Sequence, residues 1–232
     1  MTFRTFLLGL AASFGIAWLS VVVVPFLKMR DLQPIVLKED VDGKDGIYFP
    51  KRSGRVANGA TVYAQNGCYL CHTQVVRPTY AGNDLFRADW GGLKDAGDRG
   101  DTRRETNAYD FQGEKFAQIG VTRQGPDLSN IGLRVENAYA KNVSPEAWLY
   151  AHLYNPRADV TRAKSNCPPY RFLFEEKKVL GNRSREALPF ESPAGTEIVP
   201  SAEAKALVSY LLSLKKDDAP PASLNFAPVK KK

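Results

Sequence analysis

At 232 residues, with 25% charged and 44% hydrophobic side chains, the chain is long enough for one good core plus an extension, and its composition excludes a disordered polymer. Its formal net charge of +7 suits acidic partners or anionic lipid headgroups. No basic stretch is interleaved with stacking aromatics, which argues against nucleic acid.

Phe6 to Leu27 is an almost uninterrupted apolar run without a charge, including Val21-Val22-Val23-Val24. About 20 such residues cross a bilayer core. A cleaved signal peptide is the competing reading, but its apolar region would be about 7–15 residues. This run is longer, and Lys28 and Arg30 follow it in place of a small-residue cleavage site, so residues 1–28 are expected to be a retained single-span anchor in the lipid bilayer. Residues 29–54 read as a polar linker punctuated by Gly and Pro.

Ser53 to Asn66 predicts a helix, with Val56, Ala60, Tyr63 and Ala64 as its apolar stripe and Asn66-Gly67 as its stop. Cys68-Tyr69-Leu70-Cys71-His72 follows at once. Cys-x-x-Cys-His is the attachment signature of a c-type haem, in which each thiol forms a thioether with a porphyrin vinyl group and the adjoining histidine becomes the proximal iron ligand. Alternatives are a dithiol redox pair or half of a zinc site. A zinc site needs about four ligands, and the chain offers only Cys167 and His152 besides, without paired spacing. A redox pair usually opens a helix after a strand, whereas this motif follows a helix. With two cysteines on the haem, Cys167 is left over and no intrachain disulfide is expected.

Arg77, in the run leaving the motif, is a candidate partner for a haem propionate, because a guanidinium meets a carboxylate with a fork of donors; a solvated surface arginine is the alternative. Residues 81–120 are glycine-rich and charged without sustained periodicity, and read as a long surface excursion. Arg123-Gln124-Gly125-Pro126-Asp127-Leu128 contains a Gly-Pro-x-Leu turn. In c-type cytochromes such a turn sets a backbone carbonyl against Nδ1–H of the proximal histidine, which fixes ring orientation and ligand basicity. Pro126 is the expected carbonyl for His72.

Ser144-Pro145-Glu146 opens a second helix as cap, first residue and first-turn acid. It carries Trp148 and, four residues on, His152, which is either a packed core histidine or a ligand. Asp159 to Pro169 is where a sixth iron ligand is expected; residues 177–200 read as a polar excursion. Ser201 caps a last helix with the stripe Leu207, Tyr210, Leu211 and Leu214, and residues 217–232 form a mobile basic tail. The expected fold is mainly α: an N-terminal single transmembrane helix, then a class I cytochrome c-like all-α haem domain over 55–216 with long loop excursions. In that fold the first and last helices cross beside the haem, a role for Gly59 and Tyr63 against Tyr210.

Three stretches in order, Gly67 to Pro78, Arg123 to Leu128 and His152-Leu-Tyr-Asn-Pro-Arg157, together with the preceding span, resemble subunit II of cbb3-type cytochrome c oxidases, the membrane-anchored monohaem cytochrome c of those complexes. The resemblance covers the anchor and most of the domain from about Arg55 to Leu214, and fits less well at 81–120 and 175–200. It implies one covalently bound haem c and an electron-relay subunit. Electrons would pass from a cytochrome c donor, or a dihaem cytochrome c subunit, to the b-type haems of a haem b–copper catalytic subunit that reduces oxygen. It also implies a bacterial inner membrane location with the haem domain on the periplasmic side, and places for Arg77 and Arg157 near the haem or a subunit interface.

The departure is at the sixth ligand. The family has Met-Pro after Ser-Asn; here the positions read Ser165-Asn166-Cys167-Pro168, and the only methionines are Met1 and Met29. Cys167 as a thiolate ligand is the favoured reading; His152 as ligand, or a five-coordinate site with an inert Cys167, remain alternatives. A nitric oxide reductase cytochrome c subunit shares the layout, and an open iron would suit a haem-based sensor. A subunit that keeps its haem off the electron path is a further alternative. No nucleophile elbow, P-loop or dinucleotide fingerprint points to an autonomous enzyme.

Overall fold

The computed structural model describes residues 2–30, 54–111 and 114–218. The expected linker beyond Arg30 and the tail beyond Asp218 lie outside the described residues. The chain divides into two units, Met1–Glu39 and Asp40–Lys232, each taken by itself below.

The first unit is one helix, α1 (Phe3–Met29), long and apolar enough to cross a membrane. Thr2 caps it by accepting the Thr5 N–H. Its backbone widens to a π-turn over Leu19–Val23, where the Val24 N–H reaches back to the Leu19 carbonyl. The cause is Pro25, which has no N–H to offer the preceding turn. Within the span, Ser20 returns its hydroxyl proton to the carbonyls of Ile16 (2.9 Å) and Ala17 (3.1 Å), so this hydroxyl does not face apolar surroundings unpaired.

The second unit is built on α2 (Gly54–Gln65) and α6 (Ala202–Ser213), between which come α3 (Cys68–Cys71), α4 (Ile131–Arg134), α5 (Pro145–Tyr154), β1 (Phe174–Lys178) and β2 (Thr196–Pro200). The expected crossing of the first and last helices is present. A Cβ on Gly59 would lie 2.0 Å from the Ala206 carbonyl oxygen and 2.7 Å from the Tyr210 Cβ, so only glycine allows this approach. Beside it the Tyr63 and Tyr210 rings meet at 5.4 Å, tilted by 59°. The core runs from Val62 and Tyr63 through Leu128, Ile131 and Val135 to Leu149, Leu153, Leu207, Leu211 and Leu214. Ser144 and Ser201 cap α5 and α6, accepting the Ala147 and Ala204 N–H groups.

Three features differ from the sequence expectation. First, α4, continued by a π-turn over Val135–Tyr139, was not expected. It is buried on all sides from Ile131 to Val135 and so lacks an amphipathic period, and Gly132 lets it touch α6 at the Leu212 carbonyl. Second, the polar stretch 177–200 closes an antiparallel hairpin that begins just before it, with Phe174 opposite Pro200 and Lys178 opposite Thr196. Third, the 81–111 part of the excursion is held down by carboxylates: Asp84, Asp110 and, from the far end of the chain, Asp217 are all buried. Asp217, expected to open the mobile tail, accepts from Arg99 Nη2 and Thr102 Oγ1, both at 3.0 Å.

Candidate haem site

Gly67, at φ 66°, takes the left-handed conformation that ends α2 and lets the chain re-enter as the α3 turn; it is a position for glycine. That turn brings Cys68 and Cys71 onto one side, and the His72 N–H closes it by donating to the Cys68 carbonyl (3.0 Å). The His72 ring leaves the turn beside the Gly125-Pro126 segment, where Nδ1 lies 2.7 Å from the Pro126 carbonyl oxygen. A carbonyl can only accept, so Nδ1 carries the proton and Nε2 keeps its lone pair.

Two glycines make room for this ring and its backbone. A Cβ on Gly125 would fall 2.2 Å from His72 Cε1, and one on Gly120 the same distance from the His72 carbonyl oxygen. The two strands of chain are stitched on both sides: the Gly125 N–H donates to the Cys71 carbonyl (2.9 Å) and the Leu128 N–H to the Thr73 carbonyl (2.7 Å). Burial pushes the His72 ring below its ordinary pKa, against the hydrogen bond that Nδ1–H donates to the Pro126 carbonyl. Burial also pushes the Cys68 thiol up to about 12.

Behind the ring lies a charged layer that the sequence reading did not assign. The fully buried Asp127 carboxylate accepts from Thr73 Oγ1 (2.6 Å) and from the N–H groups of Val75 and Ser129 (both 2.8 Å). Arg123 Nη1 donates to both oxygens of Asp84, at 2.8 and 2.7 Å. Arg77 donates to the same carboxylate through Nε (3.2 Å), Nη2 (2.9 Å) and its backbone N–H (2.8 Å). Arg77, a candidate for a propionate or else a solvated surface arginine, thus has its fork on Asp84. A buried guanidinium with donors to spare is that of Arg134, 2% exposed at the end of α4 where the π-turn begins. Its Nη2 donates to the Asp127 carbonyl, while Nε and Nη1 have no hydrogen-bond partner. The signal for it in the sequence was an arginine inside the apolar run Ile131 to Val135.

On the other side, Arg157 Nη1 donates to the carbonyls of Ser165 (2.9 Å) and Cys167 (3.0 Å), pinning the loop that carries Cys167. The Cys167 thiol is half-buried, raised in pKa by that burial, and within electrostatic reach of Cys68 and Cys71. His152 stacks on Trp148, ring centroids 5.0 Å apart and planes 7° from parallel, in a pile continued by Tyr139 and Arg162. Burial, then Arg162 and His72, lower its pKa to about 4, so it is neutral at physiological pH. The structure therefore gathers Cys68, Cys71, His72 and Pro126 and brings the Cys167 loop near them, but leaves Arg77 engaged elsewhere. Among the described residues, no group of three or more His, Cys, Asp or Glu side chains is placed to hold a metal ion.

Compared with known families, residues 12–188 match the one described as Cytochrome C oxidase, mono-heme subunit/FixO. The chain belongs to this family. No curated protein matches it. The matched stretch begins inside α1, runs through the excursion and α5, and stops before β2 and α6. Membership implies a haem, electron transfer and, as an oxidase subunit, a complex with catalytic oxidase subunits. The residues present fit a haem. Two thiols and an imidazole with a free Nε2 provide its usual donors, and the unpartnered nitrogens of the buried Arg134 suit a carboxylate.

Proposed function

We propose that Cys68 and Cys71 hold one haem c through thioether bonds and that His72 Nε2 is its proximal iron ligand. The observation that carries this is the 2.7 Å hydrogen bond from His72 Nδ1–H to the Pro126 carbonyl. That bond selects the tautomer in which Nε2 can coordinate and makes the ring a better donor. Arg134 takes a carboxylate of the haem. Cys167, on the loop pinned by Arg157, supplies the sixth ligand. A haem bound there supplies reversible one-electron Fe(III)/Fe(II) chemistry.

In this reading residues 1–28 anchor the chain in the bacterial inner membrane with the amino terminus inside, 29–54 link, 55–216 form the haem domain at the periplasmic face, and 217–232 are a tail. The chain relays electrons from a cytochrome c donor, or a dihaem neighbour, to the haem b–copper subunit, where oxygen is reduced. Purification of the tagged chain in mild detergent tests this: a large hydrophobic subunit, b-type haem, copper and oxygen consumption are expected to co-elute. One c-type haem with nothing attached would overturn the relay role.

A thiolate sixth ligand favours Fe(III) and so lowers the potential, whereas Met raises it. Cys167→Ala is expected to change the low-spin EPR signal, and Cys167→Met to raise the midpoint potential. An unchanged low-spin spectrum in Cys167→Ala would sink thiolate ligation.

A further inference from the structure

Asp127 occupies an unusual place beside His72. It directly follows the residue whose carbonyl holds Nδ1, and its carboxylate accepts from Thr73, the residue directly after the histidine. Bonds from the N–H groups of Val75 and Ser129 fix the same carboxylate from both strands of chain. With its side chain fully buried, it is a rigid clamp across the His72–Pro126 pair.

It is also a charge that its neighbours leave incompletely balanced. Arg123 approaches Asp127 only to 3.7 Å, while it meets Asp84 at 2.7 Å, so its charge is shared with Asp84 and Arg77 lies there too. Arg134 donates to the backbone carbonyl of Asp127, not to its carboxylate. The close partners of the carboxylate are therefore neutral: one hydroxyl and two amides. Oxidation of an iron on His72 adds a positive charge nearby, and in a buried setting a fixed carboxylate favours that state more than it would in water.

We propose that Asp127 is a positioning residue of the proximal side: it holds Pro126 and His72 in register, and its buried negative charge keeps the potential of the bound haem low. The inference rests on the reading of His72 as iron ligand.

The test uses the full chain in its detergent-solubilised complex, with redox titration of the c-type haem and EPR of the oxidised form. Asp127→Asn preserves shape and removes the charge; its midpoint potential should move up and its low-spin g-values should shift. Thr73→Val removes one neutral donor, leaves the carboxylate less shielded, and should move the potential down. Opposite signs are the signature of the charge, since a role in stability alone moves neither potential. Wild-type potentials in both variants, or shifts of the same sign, would overturn the proposal. Should Asp127→Asn fail to take up haem, Thr73→Val decides alone: a downward shift supports the proposal and an unchanged or raised potential refutes it. His72→Ala in parallel separates the two readings. If it leaves the c-haem spectrum as in wild type, the assignment of His72 fails; if it abolishes the spectrum while Asp127→Asn and Thr73→Val behave as wild type, only the role of Asp127 fails.

Discussion

Asp84 is buried between two guanidiniums, and a carboxylate so placed is worth most when ionised. Burial by itself would raise its pKa, but the side-chain and backbone donors of Arg77, with those of Arg123, outweigh this and hold it at about 2. An unfolded aspartate titrates near ~3.9. The folded value is the lower one, so the contribution of Asp84 to stability is fully present above pH ~4 and is lost as pH falls toward 2. Acid unfolding curves of wild type and Asp84→Asn should converge across that window and separate above it, with wild type the more stable. Gly125 is the second residue-scale test. Gly125→Ala would drive a methyl into the His72 ring, and overpacking of this kind costs about 1–3 kcal/mol; haem content per chain and melting temperature should both fall. The core of this site was legible because its chemistry is written in adjacent residues: Cys68 to His72 in five positions, Gly125-Pro126 in two. Asp127 and Arg134 were not, because their partners are remote. Asp127 meets Thr73 across 54 positions, and the apolar run Ile131–Val135 hints that Arg134 is buried but not which of its nitrogens stay unpaired.

Helices are legible in the sequence where an apolar stripe repeats, as in α2 and α6, or where a capping residue opens them, as Ser144 does for α5 and Ser201 for α6. The contact between α2 and α6 is the one expected from the class I cytochrome c fold, in which the first and last helices cross at a glycine and an aromatic, here Gly59 and Tyr63 against Tyr210. The sequence failed to reveal α4, which is short and buried all round, and β1, whose Glu175-Glu176-Lys177-Lys178 run is exposed and finds its strand conformation only by pairing with β2. The prediction at this scale concerns the crossing. Gly59→Ala puts a methyl where the Ala206 carbonyl lies, and α2 and α6 must separate. A loss of about 1–3 kcal/mol is expected from denaturant titration, whereas the same change at Gly54, with nothing within 4 Å, should be neutral or mildly stabilising.

For the whole molecule, the apolar helix α1 decides where the chain resides. Phe14→Arg places a charge in the apolar span, at a cost of roughly 2.5–3.5 kcal/mol on insertion scales. Wild-type chain should stay in the membrane pellet after alkaline carbonate extraction, and a substantial fraction of the Arg variant should not. The helix crossing has a further consequence, for the order of events in biogenesis. Gln74, buried just past the cysteine motif, donates its amide proton to the Tyr210 hydroxyl at 2.9 Å, across 136 positions of chain. During synthesis the thiols of Cys68 and Cys71 therefore emerge long before the helix that covers their side of the core, and closing so long a loop is a late, slow step. On the proposed thioether reading, the nascent chain would offer its two sulfurs on an unfinished fold, leaving a window in which a haem could reach them before α6 docks.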